Sequence, residues 1–468
     1  MFLLSGQKGK DAMITDSRFG GGRSVDVDSV KVDSLEVYRH PLLKTISPYL
    51  HSLESLKDPV ARLWQPQLVC ATCVLMAYDA ADGLCVRLQT ARDLWDPIDQ
   101  QLGGRTYNGL CKAMLRQAEW VLPVLQADLR EHVRRVLPRL PRCCGWSLFA
   151  VDGSKEELPR TASNEAFFEL ADNGHHPQAR ISGIVEVHTS LLWDYRVDKG
   201  NACEKRHLMA MAADLPKKSL LLGDANYVGY PLWRHLHQLG QRFLVRVGGC
   251  VSLLRDLWPQ ADLQREGELV FVWPPGRQES DEPLVLRLLS VGHGEHRVYL
   301  LTNVLDVVQL SRRRAGKIYR LRWGVELFFR GFKRTLGLFK LKSRTAQRAV
   351  LELEWALIAA NILTLVGVWA LLAAGKNPRL LSLAGVIQSV RQALHHPLST
   401  SASDVGDRLE RRLAGSLRDT YRRRGPKRSR HRPYTRNTPK PHRKPPRIRP
   451  ATAKEQAYAQ LRWRKDEA

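Results

Sequence analysis

YRLRWGVELFFRGFK, residues Tyr319–Lys333, sets a single carboxylate, Glu326, among four cations. A helix turns about 100° per residue, so positions three, four and seven apart share a face. Tyr319, Arg322, Glu326 and Lys333 follow those intervals and form one polar stripe. Leu321, Val325, Phe328 and Phe332 form a second, apolar stripe of the kind a helix buries. The stretch therefore reads as an amphipathic helix lying on a core. It presents a hydroxyl, a guanidinium, a carboxylate and an ammonium outward. Arg and Lys suit phosphate oxygens. A carboxylate among them is repelled by the same phosphates unless a divalent cation stands between, which points to metal-assisted phosphoryl chemistry. The plainer alternative is that Arg322 and Glu326 are a surface ion pair at i, i+4.

The chain has 468 residues, 44% of them hydrophobic, enough for a sizeable core. Its formal net charge is +26, and thirteen Lys and Arg with no Asp or Glu lie between Arg422 and Arg449. Half the excess is thus in the tail and half elsewhere. Such a balance favours a polyanionic partner, nucleic acid before a membrane surface. The opening MFLL is too short for a secretory h-region. Of eight cysteines, Cys70 and Cys73 make one CxxC inside an apolar helical run, with no second pair at zinc-finger spacing. They read as buried thiols. Trp355–Ala374 is long and apolar enough to cross a bilayer, but it contains Asn361 and Thr364 and has no companion segment. A core helix of a soluble domain is the reading preferred, with no membrane.

Along the chain, residues 1–35 read as a disordered N-terminus and 36–140 as a helical, possibly DNA-binding, domain. At WSLFAVDGS the period changes to strands. ARISGIVEVHTS, LLWDYRVDKG, KSLLLGDANYVGY and RFLVRV follow as further strands with helices between them. Residues 248–304 alternate around Gly and Pro and read as a β-rich insertion within a 141–375 catalytic domain. A helical extension, 376–415, and a basic, largely disordered tail, 416–468, complete the expectation. The fold class predicted is α/β, a mixed sheet flanked by helices.

Asp152 and Asp224 each follow an apolar strand, where sites on α/β sheets collect. With Glu326 they give three hard oxygen ligands suited to Mg²⁺ or Mn²⁺. Separately each has a modest explanation: Asp152-Gly153 as a turn, Asp224 as an N-cap. Together they resemble bacterial insertion-sequence DDE transposases of the subgroup marked Y-x2-R-x3-E-x6-K, here Tyr319, Arg322, Glu326 and Lys333. FAVDGSKEELPRT and LLLGDANYVGYPLW are similar to the blocks around the two aspartates. The resemblance covers about residues 140–375. It implies a ribonuclease-H-like core and a cut-and-paste DNA transposase, with a strand-cutting nuclease or an inactive DNA-binding protein as alternatives. It also implies Asp152, Asp224 and Glu326 as catalytic ligands of two Mg²⁺ (or Mn²⁺), and Tyr319, Arg322 and Lys333 as DNA-phosphate contacts. A homodimer on paired DNA ends in the bacterial cytoplasm goes with it. Trp323 reads as a core residue ahead of a base-stacking one, Glu204 is a secondary acid by the same resemblance, and His175, His176 and His188 read as surface or core histidines ahead of residues near the site.

Overall fold

β1 (Ser147–Glu157) organises the molecule. It is an eleven-residue strand that opens on Ser147, is apolar from Leu148 to Val151, and apart from Gly153 is polar from Asp152 onward. Around it the computed structural model describes residues 40–95, 104–169, 176–257, 268–274, 281–337, 341–395, 402–418 and 444–466. Before β1 come four helices, α1 (Pro41–Ile46), α2 (Pro66–Tyr78), α3 (Leu84–Trp95) and α4 (Tyr107–Val136). After it run α5 (Ala162–Phe168), β2 (Gln178–Glu186), β3 (Leu192–Lys199), α6 (Glu204–Met211), β4 (Ser219–Gly223), α7 (Tyr230–Gln238) and β5 (Arg242–Val247). Four strands follow, β6 (Ser252–Arg255), β7 (Glu268–Val272), β8 (Leu284–Val291) and β9 (Val298–Thr302). The remaining elements are α8 (Arg312–Arg320), α9 (Trp323–Thr335), α10 (Ala346–Ala373), α11 (Leu383–Leu394), α12 (Ala402–Ala414), β10 (Arg447–Pro450) and α13 (Ala453–Asp466).

All ten strands join one sheet in the order β10-β6-β7-β8-β9-β5-β4-β1-β2-β3. β1, β2 and β3 form an antiparallel meander. β1, β4 and β5 are parallel, each reached through a helical crossover. This is the ribonuclease-H-like mixed sheet expected. The strands of the 248–304 stretch do not stand apart from it. β9 pairs with β5, and β8 and β7 continue the same sheet outward.

α10 is long and apolar enough to cross a membrane, yet most of its apolar surface is covered by the molecule itself. It packs on α2, α4, α11, α12 and β3, and 78% of its most apolar window is buried inside the molecule. The amide inside its apolar run, Asn361, accepts from Leu192 N and donates to Leu192 O, at 3.1 and 2.9 Å. The polar residue inside the apolar run thus satisfies the start of edge strand β3. Cys70 and Cys73 are free and buried on α2. One continuous apolar core runs from Leu42 to Leu413, so the helices before residue 140 and after 375 share their core with the sheet.

Two local expectations need correction. The opening stretch is two helices rather than one. α8 ends at Arg320, and α9 begins at Trp323 after a turn at Leu321 and Arg322. The break lets each helix approach a different part of the sheet: Gly316 of α8 closes on Val291 of β8, and Gly324 of α9 closes on the Val187 carbonyl. The tail was expected to be largely disordered, yet β10 adds as a parallel edge strand to β6, and α13 follows it. Leu254, Leu257, Phe271, Trp273 and Ala459 form a small separate core under this addition. The 1–35 reading and residues 419–443 of the basic tail lie outside the described residues.

Candidate active site

The register of β1 and β4 brings the two aspartates together. Ala150 stands opposite Leu222 on these parallel strands. Two residues further along each backbone come Asp152 and Asp224, on the same face. Asp152 is not at a strand terminus, since β1 continues to Glu157 paired with β2. It sits where β1 outruns β4. Its Oδ1 accepts from Gly153 N at 2.9 Å. Asp224 Oδ1 accepts from Asn226 N at 2.8 Å, so the N-cap role is real and leaves Oδ2 toward the site. Arg246 Nη2 of β5 lies 4.0 Å from that Oδ2.

α9 crosses above, held by Val325, Phe328 and Phe332, all fully buried. Its other face turns toward β1. Arg322 Nη1 is 3.3 Å from Asp152 Oδ2, and Arg322 Nη2 donates to Glu326 Oε1. One guanidinium therefore bridges the strand acid and the helix acid. The ion-pair reading of Arg322 and Glu326 is correct as geometry, but the pair is half-buried and shared with Asp152. Burial pushes the Asp152 carboxyl above its ordinary range. The Gly153 N–H and Arg322 oppose that push, while the charges of Asp224 and Glu326 add to it. For Arg322 burial acts downward, but Glu326, Tyr319 and Asp152 outweigh it and raise the guanidinium further. Tyr227, buried just beyond Asp224, is pushed well up by burial and by both aspartates. The three acids thus share one electrostatic neighbourhood.

A second pair runs parallel to the first. Asp152, Ser154 and Glu156 share one face of β1, as Arg322, Glu326 and Lys333 share one face of α9. Lys333 Nζ is 3.0 Å from Glu156 Oε1 and donates to Lys155 O at 3.0 Å. Ser154 Oγ donates to the same carboxylate oxygen at 3.1 Å. Burial raises Glu156 and Lys333 lowers it, with burial prevailing. Tyr319, at the end of α8, is half-buried and acts electrostatically on Arg322. Trp323 is 49% exposed at the start of α9, so its ring is outside the core.

Glu204 is nearer the site than its sequence position suggests. It pairs with Arg180 and accepts from Tyr227 Oη at 3.0 Å. A Cβ on Gly153 would come within 2.6 Å of its Oε1. Gly153 is therefore the residue that admits this carboxylate beside Asp152. His188 is buried against Arg379, 3.0 Å away, and is pushed down to about 4 by burial and that cation. It belongs to the core side of the β2–β3 connection. His176 is exposed, and His175 lies outside the described residues. Glu156 and Arg246 were missed in the sequence. Alternation along SLFAVDGSKEE was the signal available for Glu156; Arg246 needed the register of β5.

The donor chemistry of Asp152, Asp224 and Glu326 suits a hard divalent ion. Among the described residues no group of three or more His, Cys, Asp or Glu side chains is gathered tightly enough to hold one. The cation between Asp152 and Glu326 is the Arg322 guanidinium. The acids are neighbours of fitting chemistry, with Arg322 bonded where a shared ion would have to compete.

Residues 146–362 match the transposase DDE domain family. Transposase InsG for insertion sequence element IS4, from Escherichia coli strain K12, is 24% identical over 262 residues, which is 51% of this chain. The chain spans 58% of that relative's length. A chain from the piggyBac transposase synaptic complex with hairpin DNA superposes with a TM-score of 0.41 and 10% identity, covering 82% of this chain and 86% of that one. The family match contains Asp152, Asp224 and Glu326, and its end at residue 362 falls inside α10.

Proposed function

We propose that this protein is an insertion-sequence DNA transposase that cleaves transposon ends and joins them to target DNA. The observation that carries the reading is the convergence of Asp152 within β1, Asp224 just past the end of the neighbouring β4 and Glu326 on the helix above, inside the span that matches the transposase DDE domain. Asp152, Asp224 and Glu326 would hold divalent metal, Mg²⁺ or Mn²⁺, as two ions. Such ions supply an activated oxygen nucleophile and stabilise the leaving oxygen of an in-line displacement.

The remaining steps belong to the chain's own side chains. Arg322 offsets the mutual repulsion of Asp152 and Glu326 and offers a planar donor fork to a phosphate. Lys333, on the same face of α9, presents its ammonium next to the backbone path, steadied by Glu156. Tyr319 completes this edge through its action on Arg322. These groups position the DNA backbone and read no sequence. The exposed face of α8, with Arg313, Arg314 and Lys317, adds unspecific attraction. We propose a homodimer on paired ends, acting on chromosomal DNA in a bacterial cytoplasm.

The test uses the full chain and duplex DNA taken from the sequence that flanks its gene. Wild-type protein should cut at a fixed terminal position only when Mg²⁺ or Mn²⁺ is added. It should then join a pre-cleaved 3′ end to a second duplex. Cutting without joining would make it a nuclease. Full cutting by Asp152→Ala would end the proposal.

A further inference from the structure

The register that aligns the two aspartates continues one strand further. Leu222 of β4 stands opposite Leu244 of β5, as it does Ala150 of β1. Two residues on, in all three parallel strands, come Asp152, Asp224 and Arg246. Residues two apart on a strand share a face, and neighbouring strands lie about 4.8 Å apart. Asp224 is just past the end of β4 but keeps an extended backbone, φ −88° and ψ −169°, so the row is not interrupted. The 4.0 Å approach of Arg246 to Asp224 agrees with it. The acids therefore have a cation on either flank: Arg322 above β1, and Arg246 on β5.

The two cations are in different states. Arg322 gives donors to Asp152 and Glu326. The Arg246 side chain is beyond hydrogen-bond range of Asp224 and makes no side-chain hydrogen bond to any described residue. It is 30% exposed and carried by a paired strand rather than by a loop: Arg246 opposes Leu300 of β9. A guanidinium has five donors in a fixed fork matched to phosphate oxygens. Here it stands at the rim of a carboxylate row that would otherwise repel a polyanion.

We propose that Arg246 is a phosphate-binding residue of this site, taking a backbone phosphate beside the scissile one on a DNA strand that crosses from α9 toward β5. The proposal rests on the transposase reading and adds a contact on the side away from the Tyr319, Arg322 and Lys333 set. A purely structural role, as a loose partner of Asp224, would alter cleavage but not the number of phosphates neutralised.

That number is what a salt titration reads. The logarithm of the binding constant falls with the logarithm of salt concentration by about 0.9 per phosphate contacted on B-DNA. The probe is a duplex from the DNA flanking the gene, bound to full-length protein in the absence of divalent metal. Arg246→Gln should lower the slope by about 0.9, while Arg246→Lys should retain the wild-type slope. Cleavage in Mg²⁺ should be slower for Arg246→Gln than for Arg246→Lys. Equal slopes for wild type and Arg246→Gln, or equal losses for Gln and Lys, overturn the proposal. A reduced slope in Arg246→Gln with no cleavage by the wild type would instead remove the transposase reading and leave the phosphate contact standing.

Discussion

The two halves of the sheet are built on opposite terms. From β1 to β3 the strands are packed against α9 and α10, and the face of β1 beneath α9 carries paired charges: Asp152 and Glu326 with Arg322, Glu156 with Lys333. From β9 to β10 the sheet is an extension, and its far edge is closed by a four-residue strand over a core of its own. Charge held half-buried is expensive unless it is paired. The first half carries that cost where the proposed chemistry lies. The second half buries charge as well, Arg287 on β8 against the Leu310 carbonyl and Glu455 against Arg449, but those charges belong to the packing of the extension and are not bonded to the three acids. The comparison separates residues whose loss should stop a reaction from residues whose loss should only loosen an edge.

The sharpest break should come from the acids. Asp152→Ala or Asp224→Ala is expected to lower single-turnover DNA cleavage by at least about 10²–10³-fold, the scale on which lost transition-state electrostatics is felt. End binding in a gel-shift assay should persist, because the cations remain. Loss of binding in step with cleavage would mean that the aspartates hold the fold, and the contrast between the halves would fail.

Phe328→Ala tests what keeps α9 over the strands. Its ring is 1% exposed and stacks on Phe332, with centroids 6.1 Å apart and planes 15° from parallel. Removing a buried phenyl of this kind costs about 3–5 kcal/mol. Chemical denaturation should report a loss of that order. A change under about 1 kcal/mol would mean that α9 is not anchored by this stripe.

Glu354 on α10 sharpens the account of buried charge. Burial pushes its carboxyl up to about 7, with only partial relief from Arg196. The ordinary value is 4.5, so between those pH values the unfolded chain releases a proton that the folded chain keeps. Stability must therefore fall as pH rises from about 4.5 to about 7 and stay reduced above it. Glu354→Gln should be indistinguishable from wild type at pH 4 and more stable at pH 8 by something on the order of 3 kcal/mol. Thermal melts at the two pH values decide it. A gain at pH 4 equal to that at pH 8 would show that packing, not ionisation, is at work.

How much of this was legible beforehand follows the same division. The strands of the first half were readable because VDGS and LLLGDA join apolar runs to acids, a local pattern. Val325, Phe328 and Phe332 announced α9 by spacing alone. The break at Leu321 and Arg322 was not readable. It arises because Gly316 and Gly324 each let a helix close on a different strand region, and that is a tertiary fact. The Lys333–Glu156 pair was half readable: alternation puts Glu156 on the Asp152 face, but which cation meets it depends on where α9 lies. Arg246 depended on strand register, which no one-dimensional pattern contains.

β10 was hidden for another reason. RIRP has no apolar run and sits beside a long cationic stretch, so composition argued for disorder. One signal was present. Thr452 and Glu455 have capping-box spacing, and Glu455 indeed accepts from Thr452 N at 2.9 Å while Glu455 N donates to Thr452 Oγ1 at 3.3 Å. The same carboxylate receives both Nη atoms of Arg449, at 2.9 and 2.8 Å, and is held down near 2, first by Arg449. Strand, cap and helix are locked by one Glu.

Truncation after residue 443 should have the smallest effect of the series. It removes β10 and α13 and uncovers Leu254, Phe271 and Trp273, which belong to the satellite core and not to the main one. β6 would also lose the bonds from Arg447 N to Val251 O and from Ala451 N to Arg255 O, both 2.9 Å. The buried members of the main core end at Leu413, and from the removed segment the half-buried Ile448 packs against it. The melting temperature should move by no more than a few degrees, and Mg²⁺-dependent cleavage should persist. The change should be local: faster amide hydrogen exchange in β6 and β7, with β1, β4 and β5 protected as before. If protection falls together from β6 through β5, the edge and the centre are one cooperative unit, and the division of the sheet into a working half and an extension is wrong.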